Sequence, residues 1–256
     1  MMKEGSTRQT SLYRALDILS ALAESERPLT ATEINQKLQL PKATVHRLCA
    51  ALEANQFLQK ELDGTRLLPG RQLRRLALGV IANEHFQLER HTILNKLSGD
   101  IGETCNISIP DGSEMRYIDR SESSWPLRLQ LPVGTRVPLH CTSSGKLYLS
   151  HLSETRCDRL IRKLPLEACT SNTFSTVESL KSELTRIRKE QLGKDNEEFL
   201  EGMVCVAVPI LDHRERLCAT LSFHAPSSRM NLDQALSHVS RLRKASRDLG
   251  ELMENQ

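Results

Sequence analysis

The architecture of the chain follows from residues Leu29–Leu52, which read LTATEINQKLQLPKATVHRLCAAL. Thr30 and Glu33 have the spacing of a capping box, and the apolar residues after them recur at helical intervals. Pro41 suits the beginning of a second helix, where no backbone N–H is needed. The stretch therefore predicts two short helices joined by a tight turn.

The second of these helices is predicted to have one apolar face and an exposed N-terminal tip. Its inward positions recur at helical spacing: Val45, Leu48, Cys49 and Leu52. Small, hydroxyl-bearing and cationic residues remain at the tip: Lys42, Ala43, Thr44, His46 and Arg47. Such a tip suits a recognition helix in the DNA major groove, because Arg can reach base edges and Lys can reach phosphates.

A predicted hairpin follows the two helices. Phe57–Lys60 and Arg66–Leu68 are predicted strands, and the turn between them contains an Asp-Gly pair. Two helices with a short turn occur in many all-helical domains, but a hairpin directly after them favours a winged helix–turn–helix. Lys60 and Arg66 flank this wing, where a neighbouring DNA phosphate could lie.

Composition indicates a two-domain protein of ordinary polarity. The chain has 256 residues, of which 39% are hydrophobic and 26% charged. The net charge is only +3, so any affinity for DNA must come from a local arrangement of Lys and Arg. Neither a bilayer-spanning apolar run nor an apolar signal core is visible, and we expect a cytoplasmic protein with no membrane partner.

The cysteines do not form a recognisable motif. Their number is odd and no C-x-x-C pair occurs, so we expect neither a disulfide framework nor a structural zinc site. No cofactor and no metal are predicted. The seven positions are Cys49, Cys105, Cys141, Cys157, Cys169, Cys205 and Cys218.

The rest of the chain mixes strands and helices without regular alternation, which predicts an α+β second domain. We expect a DNA-binding domain at residues 1–70, a helical linker at 71–98 and a ligand-binding domain at 99–256. Predicted strands are Thr104–Ile109, Met115–Ser121, Leu127–Leu131, Met203–Ile210 and Leu217–Phe223. Predicted helices are Ser11–Ala23, Arg71–Leu78, Glu84–Leu97, Ser153–Lys163, Ser175–Leu192 with a Ser175/Glu178 capping box, and Asn231–Met253.

A loop of small residues, His140–Lys146 (HCTSSGK), opens a predicted helix. Free backbone N–H groups at a helix start attract a carboxylate or another anion, although an ordinary capped helix gives the same pattern. His140 beside Cys141 also suggests a cysteine nucleophile that is activated by a histidine. Neighbours on a strand point to opposite faces, however, so we expect no catalytic residues and no enzyme.

With these motifs in this order, the sequence resembles the IclR family of bacterial transcriptional regulators over nearly the whole chain. The resemblance implies a winged helix–turn–helix domain and a GAF-like effector-binding domain, assembled as a homodimer or homotetramer. The matching segments are Ser11–Leu19, Leu29–Ile34, Leu40–Leu48, Tyr117–Glu122, Pro138–Lys146 and Gly202–Pro209.

The resemblance also implies a site for a small organic acid in the second domain. His224 stands where glyoxylate-binding relatives have a small hydroxyl residue, which points away from glyoxylate. The positions that match the family's effector site are Ser143, Ser144, Asp195, Cys205, Ser222 and His224.

We therefore expect a ligand-responsive transcriptional regulator that binds double-stranded operator DNA. Two alternatives remain at this point. One is a small-molecule-binding enzyme with an accessory winged helix, and the other is a protein-interaction module whose winged helix contacts a partner protein.

Overall fold

A computed structural model describes residues 10–25, 27–61, 64–81, 84–125 and 131–254. The chain divides into two compact units, Met1–Ala82 and Asn83–Gln256. Residues 127–130 of the predicted strand Leu127–Leu131 lie outside the described part of the chain.

The first unit is a small helical domain with a three-stranded sheet. Its strands lie in the order β1-β3-β2, and both pairings are antiparallel. The predicted helices and hairpin are confirmed, and the short strand β1 before α2 is an addition. The helices are α1 Ser11–Ala23, α2 Ala31–Leu38, α3 Lys42–Ala54 and α4 Arg71–Ile81; the strands are β1 Leu29–Thr30, β2 Leu58–Lys60 and β3 Arg66–Pro69.

The core of the first unit comes from one face of each element. Ile18, Ile34 and Val45 are fully buried, one from each of the first three helices. Leu58 and Leu67 close the core from the hairpin. Part of the apolar surface of α1 stays outside this core: Leu12 is 66% exposed and Leu16 49% exposed, so α1 buries less of its apolar surface than its pattern suggests.

The second unit is built on a six-stranded antiparallel sheet, which confirms the α+β class and the GAF-like architecture. The strands lie in the order β6-β5-β4-β9-β8-β7. They are β4 Thr104–Asp111, β5 Glu114–Ser121, β6 Arg136–Pro138, β7 Gly193–Asn196, β8 Met203–Leu211 and β9 Leu217–Pro226; the helices are α5 Glu84–Ile101, α6 Ser143–His151, α7 Glu154–Ile161, α8 Val177–Glu190, α9 Leu232–Leu236 and α10 Val239–Glu254.

The two faces of this sheet differ in chemistry because side chains alternate along each strand. Val206 on β8 pairs with Phe223 on β9, which in turn pairs with Cys105 on β4, and all three are buried. Helices α5 and α10 pack on this apolar face. Helix α6 packs on the opposite face, where polar residues of the same strands lie.

Some predicted element boundaries are wrong. Helix α8 begins at Val177 with Thr176 as its N-cap, whose hydroxyl accepts from the Ser179 N–H, so the Ser175/Glu178 capping box does not form. The predicted helix Asn231–Met253 is two helices, α9 and α10. Asn231 does cap the first of them, in a capping box with Gln234.

The two helices of the predicted linker fall in different compact units, α4 in the first and α5 in the second. Arg90 on α5 donates to Asp119 on β5 at 2.8 Å, and both side chains are buried. This buried ion pair fastens α5 to the sheet. None of the helices within the described residues has the length and apolarity that crossing a bilayer requires.

Candidate recognition helix and ligand site

The first helix of the helix–turn–helix, α2, begins at the capping box that the sequence predicted. The Glu33 N–H donates to the Thr30 hydroxyl at 3.2 Å, and the Thr30 N–H donates to the Glu33 carboxylate at 2.7 Å. Hydrogen bonds from Arg27 and Thr30 lower the pKa of Glu33 to about 2. Gln39 then reverses the chain in a left-handed conformation, with φ of 54°. The capping box fixes the start of α2, and Gln39 ends that helix ahead of α3.

Helix α3 separates a buried face from an exposed one, as its pattern predicted. Val45, Leu48 and Cys49 are buried. The Thr44 side chain is half-buried, whereas the other predicted tip residues are exposed: Lys42, Ala43, His46 and Arg47. Lys and Arg side chains on one exposed helix tip provide the charge and the hydrogen-bond donors that contact with a DNA groove requires.

The two predicted cations of the wing have different surroundings. Lys60 is exposed, and its Nζ lies 3.1 Å from a carboxylate oxygen of Glu53 on α3. Arg66 is half-buried and donates to the Pro28 carbonyl oxygen at 3.2 Å, which ties β3 to the chain that enters α2. Lys60 is therefore the better candidate for a phosphate contact, and Arg66 has a clear structural role.

In the second unit, the start of α6 is packed very closely against the sheet. Thr142 caps the helix by accepting from the Gly145 N–H at 3.1 Å. A Cβ atom on Gly193 of β7 would lie 2.2 Å from the Ser143 carbonyl oxygen, and one on Gly145 would lie 2.5 Å from the Leu139 backbone. Only glycine at these two positions leaves room for the backbone contacts. The two glycines therefore allow the start of α6 to pack directly against the polar face of the sheet.

The predicted effector residues meet at this helix start. Asp195, Cys205 and His224 are direct cross-strand partners on β7, β8 and β9, so their side chains share one face of the sheet. The Ser143 hydroxyl lies 2.8 Å from the Cys205 thiol. Ser222 stands on the same face, one row further along, beside Ala207. The structure thus brings together residues that lie up to 81 positions apart between Ser143 and His224.

Ser144 is the member of this set that is best placed to meet a ligand. It is only 4% exposed, yet the described residues offer its hydroxyl no hydrogen-bond partner. Cys205 keeps accessible surface although it lies in the middle of strand β8. A hydroxyl that has no protein partner and keeps accessible surface can form a hydrogen bond with a ligand.

A buried charged cluster borders the site on the β7 side. The Lys146 ammonium is fully buried, contacts the Glu198 carboxylate and lies 4.8 Å from the centroid of the Phe174 ring. Asp195 accepts from the backbone N–H groups of Glu198 and Phe199 at 2.8 and 3.3 Å. Burial, together with the neighbouring Glu198 carboxylate, raises the pKa of Asp195 to about 7.

Two further residues of the polar face were not among the predicted site residues. The Asn106 side chain lies 3.1 Å from His224 Nδ1, and it accepts from the Arg120 guanidinium at 3.2 Å. Arg120 follows Asp119 directly on β5. The residues face opposite sides of the sheet: Asp119 pairs with α5, and Arg120 lies on the side of the ligand site.

His140 and Cys141 lie in a turn, not on a strand. Adjacent residues in a turn need not point to opposite faces, so the expected separation of His140 and Cys141 by strand alternation is wrong. His140 Nε2 lies 2.9 Å from the Glu167 carbonyl oxygen, and the Cys141 thiol lies 3.8 Å from the Cys169 thiol. Burial raises the pKa of Cys141, which favours the thiol over the nucleophilic thiolate.

Two family models match the sequence. The one described as "IclR helix-turn-helix domain" matches residues 11–62, and "Bacterial transcriptional regulator IclR C-terminal" matches residues 79–251. Together they cover the first three helices with β2 and almost all of the second unit.

A curated relative in Cupriavidus necator is described as "Probable transcriptional regulator SauR". It is 40% identical over 236 residues, which are 92% of this chain and 94% of the relative. This similarity extends over both units.

The fold also matches solved structures. The IclR protein of Thermotoga maritima has a TM-score of 0.61 and 27% identity, and the match covers 94% of this chain and 98% of that one. An IclR homolog from Microbacterium hydrocarbonoxydans, complexed with 4-hydroxybenzoate, has a TM-score of 0.61 over 96% of this chain and 100% of that one. At 21% identity, this second similarity concerns the fold alone.

Proposed function

The chain belongs to the IclR family of bacterial transcriptional regulators, and from that premise we propose where it binds its two partners. The exposed tip of α3 binds operator DNA, and the polar face beside the start of α6 binds a small organic acid. The protein is a ligand-responsive regulator, so the state of the second site governs the occupancy of the first.

The proposal for DNA rests on the exposed tip of α3. Arg47 and Lys42 are exposed at the N-terminal part of a helix whose other face is buried. Arg47 is assigned to base edges, where a guanidinium can make two parallel hydrogen bonds, and Lys42 is assigned to a phosphate. Thr44, His46 and Ala43 complete the contact surface, and Lys60 adds a phosphate contact from the wing.

The proposal for the ligand rests above all on the Ser144 hydroxyl, which lies at a helix start and has no hydrogen-bond partner among the described residues. The backbone N–H groups at the start of α6 favour an anionic group there. Ser222 and His224 supply further polar contacts for the rest of the ligand. A carboxylate beside Ser143 and Ser144 fits this arrangement, and the bound 4-hydroxybenzoate of the Microbacterium protein is also a small organic acid.

A homodimer or homotetramer completes the proposal. Leu12, Tyr13 and Leu16 form an exposed apolar surface on α1, with exposed fractions of 66, 59 and 49%. Apolar patches of this kind mark interaction surfaces. Two recognition helices related by a twofold axis would read a pseudo-palindromic operator. Operator DNA lies in the bacterial cytoplasm, so the proposal also places the protein there.

A thermal-shift screen of small organic acids tests the ligand part of the proposal. An acid that binds the folded chain raises its melting temperature by mass action. That acid must also change operator affinity, since regulation requires unequal affinity for the free and DNA-bound states. We expect Ser144→Trp to remove both effects and to leave operator binding intact. An unchanged response in this variant would place the ligand elsewhere.

The comparisons argue against one of the two alternatives, and an experiment tests the other. The relatives are named as transcriptional regulators, which argues against an enzyme with an accessory domain. A protein-interaction module would bind its partner with weak dependence on salt, whereas DNA binding releases counterions and weakens steeply as salt rises. Operator binding across a salt series therefore separates these two functions.

A further inference from the structure

A second cluster of chemically reactive side chains lies outside the ligand site. His140 and Cys141 are buried in the turn that leads into α6, and Cys169 is exposed in the segment between α7 and α8. One ligand atom from each of the three residues can be chosen so that all three lie within 4.8 Å of one another. The two cysteines are 28 positions apart, so no short sequence motif contains both of them.

The spacing of the two sulfurs matches coordination of a metal better than a disulfide. Cys141 Sγ and Cys169 Sγ are 3.8 Å apart. Two thiolates bound tetrahedrally to zinc at about 2.3 Å lie roughly 3.8 Å from each other. A disulfide requires a separation of about 2.05 Å, so the thiols would have to move much closer together to form one.

His140 is oriented as metal-binding histidines usually are. Its Nε2 lies 2.9 Å from the Glu167 carbonyl oxygen. Donation of the Nε2–H to this carbonyl fixes the ring and leaves the Nδ1 lone pair for a metal. Such a second hydrogen bond, from the other ring nitrogen to a backbone carbonyl, is the common support of histidine ligands.

We propose that His140, Cys141 and Cys169 form a binding site for a soft divalent cation of the zinc type. Two thiolates balance the charge of the cation, and the neutral imidazole is the third ligand. Each thiol loses its proton to solvent as its sulfur–metal bond forms. The three side chains leave the fourth position of a tetrahedral site for water. The site ties the segment around Cys169 to the turn that precedes Ser143 and Ser144.

Cobalt titration of the full chain, treated with a chelator and kept reduced, tests the proposal directly. Tetrahedral Co²⁺ with thiolate ligands has intense visible d–d bands and sulfur-to-metal charge-transfer bands. We expect one equivalent of Co²⁺ per chain to produce both sets of bands and one equivalent of Zn²⁺ to abolish them.

Matched variants assign the site to these residues. Cys169→Ser removes an exposed ligand without disturbing the core, and we expect cobalt affinity to fall by at least about tenfold. Cys218 is also exposed and lies on β9, so Cys218→Ser is the control and should bind as the wild type does. A spectrum without thiolate bands, or unchanged affinity in Cys169→Ser, would overturn the assignment.

Discussion

Arg47 is the residue on which specific recognition of the operator depends in our account. We predict that Arg47→Ala weakens operator binding by about 1–3 kcal/mol if the guanidinium contacts a base. The loss arises because alanine cannot form the two parallel hydrogen bonds that the guanidinium makes to a base. Fluorescence anisotropy with an operator fragment, selected by the protein from a genomic library, measures the change.

The control for Arg47 is another exposed arginine away from α3. Arg162→Ala, at the end of α7, removes the same charge and should leave operator affinity nearly unchanged. Arg47→Ala should also reduce the preference for the operator over an unrelated fragment. Equal losses on both fragments would assign Arg47 to the phosphate backbone.

The raised pKa of Asp195 predicts a pH dependence of stability. An unfolded Asp ionises near 3.8, whereas burial keeps folded Asp195 protonated up to about pH 7. Between these values the folded state binds more protons, so the free energy of unfolding falls as pH rises. Glu198, Lys146 and Cys205 face the same carboxyl and do not change this sign.

Asp195→Asn tests this dependence because the amide stays neutral and can still accept the two backbone N–H groups. The stability of the variant relative to wild type should rise between about pH 4 and pH 7. Urea unfolding at several pH values measures the difference. Asp248→Asn, an exposed substitution on α10, is the control. A constant difference between Asp195→Asn and wild type across this range would contradict the prediction.

At the scale of elements, the contact between β7 and the start of α6 determines the geometry of the proposed ligand site. Gly193→Ala would place a methyl carbon 2.2 Å from the Ser143 carbonyl oxygen, so helix and strand must separate. We expect a loss of about 1–3 kcal/mol in the free energy of unfolding and loss of the response to the acid. Thermal unfolding and the acid titration measure the two effects.

The matched control is Gly99→Ala, in helix α5 of the same unit. A methyl group there meets no atom within 4 Å, and alanine favours the helix by up to about 1 kcal/mol. Gly99→Ala should therefore be neutral or stabilising and keep the response. If Gly193→Ala behaved in the same way, the close packing at Ser143 would not position the ligand.

The elements show which parts of the fold could be predicted from local sequence. The capping box of α2 and the apolar spacing of α3 are local signals, and both predicted the structure closely. Strands β6 and β7 were missed, because Arg136–Pro138 and Gly193–Asn196 carry no alternating apolar pattern. Both segments are extended because they pair with β5 and β8. Such pairing involves other segments of the chain, so the local sequence does not reveal it.

The polar face that we propose as the ligand site was predictable only in part for the same reason. The family resemblance indicated Ser143, Ser144 and the residues on β7 to β9. Asn106 and Arg120 were missed because their role depends on strand register, which places them beside Ser222 and not on the apolar face. The cluster of His140, Cys141 and Cys169 depends on tertiary proximity in the same way.

At the scale of the whole molecule, the exposed face of α1 predicts self-association. Leu16→Glu should destabilise the oligomer because a carboxylate would be buried in its apolar contact. Sedimentation velocity measures the shift towards monomer. Leu200 is 41% exposed in the second unit, so Leu200→Glu is the control. An unchanged oligomer in Leu16→Glu would remove α1 from the interface.

The salt dependence of operator affinity tests most directly whether the cationic tip of α3 enters duplex DNA. We predict that the logarithm of the association constant falls linearly with the logarithm of salt concentration, by about 0.9 for each phosphate neutralised. Lys42→Ala should reduce this slope by roughly 1. A flat salt profile, or an identical slope in Lys42→Ala, would contradict the account.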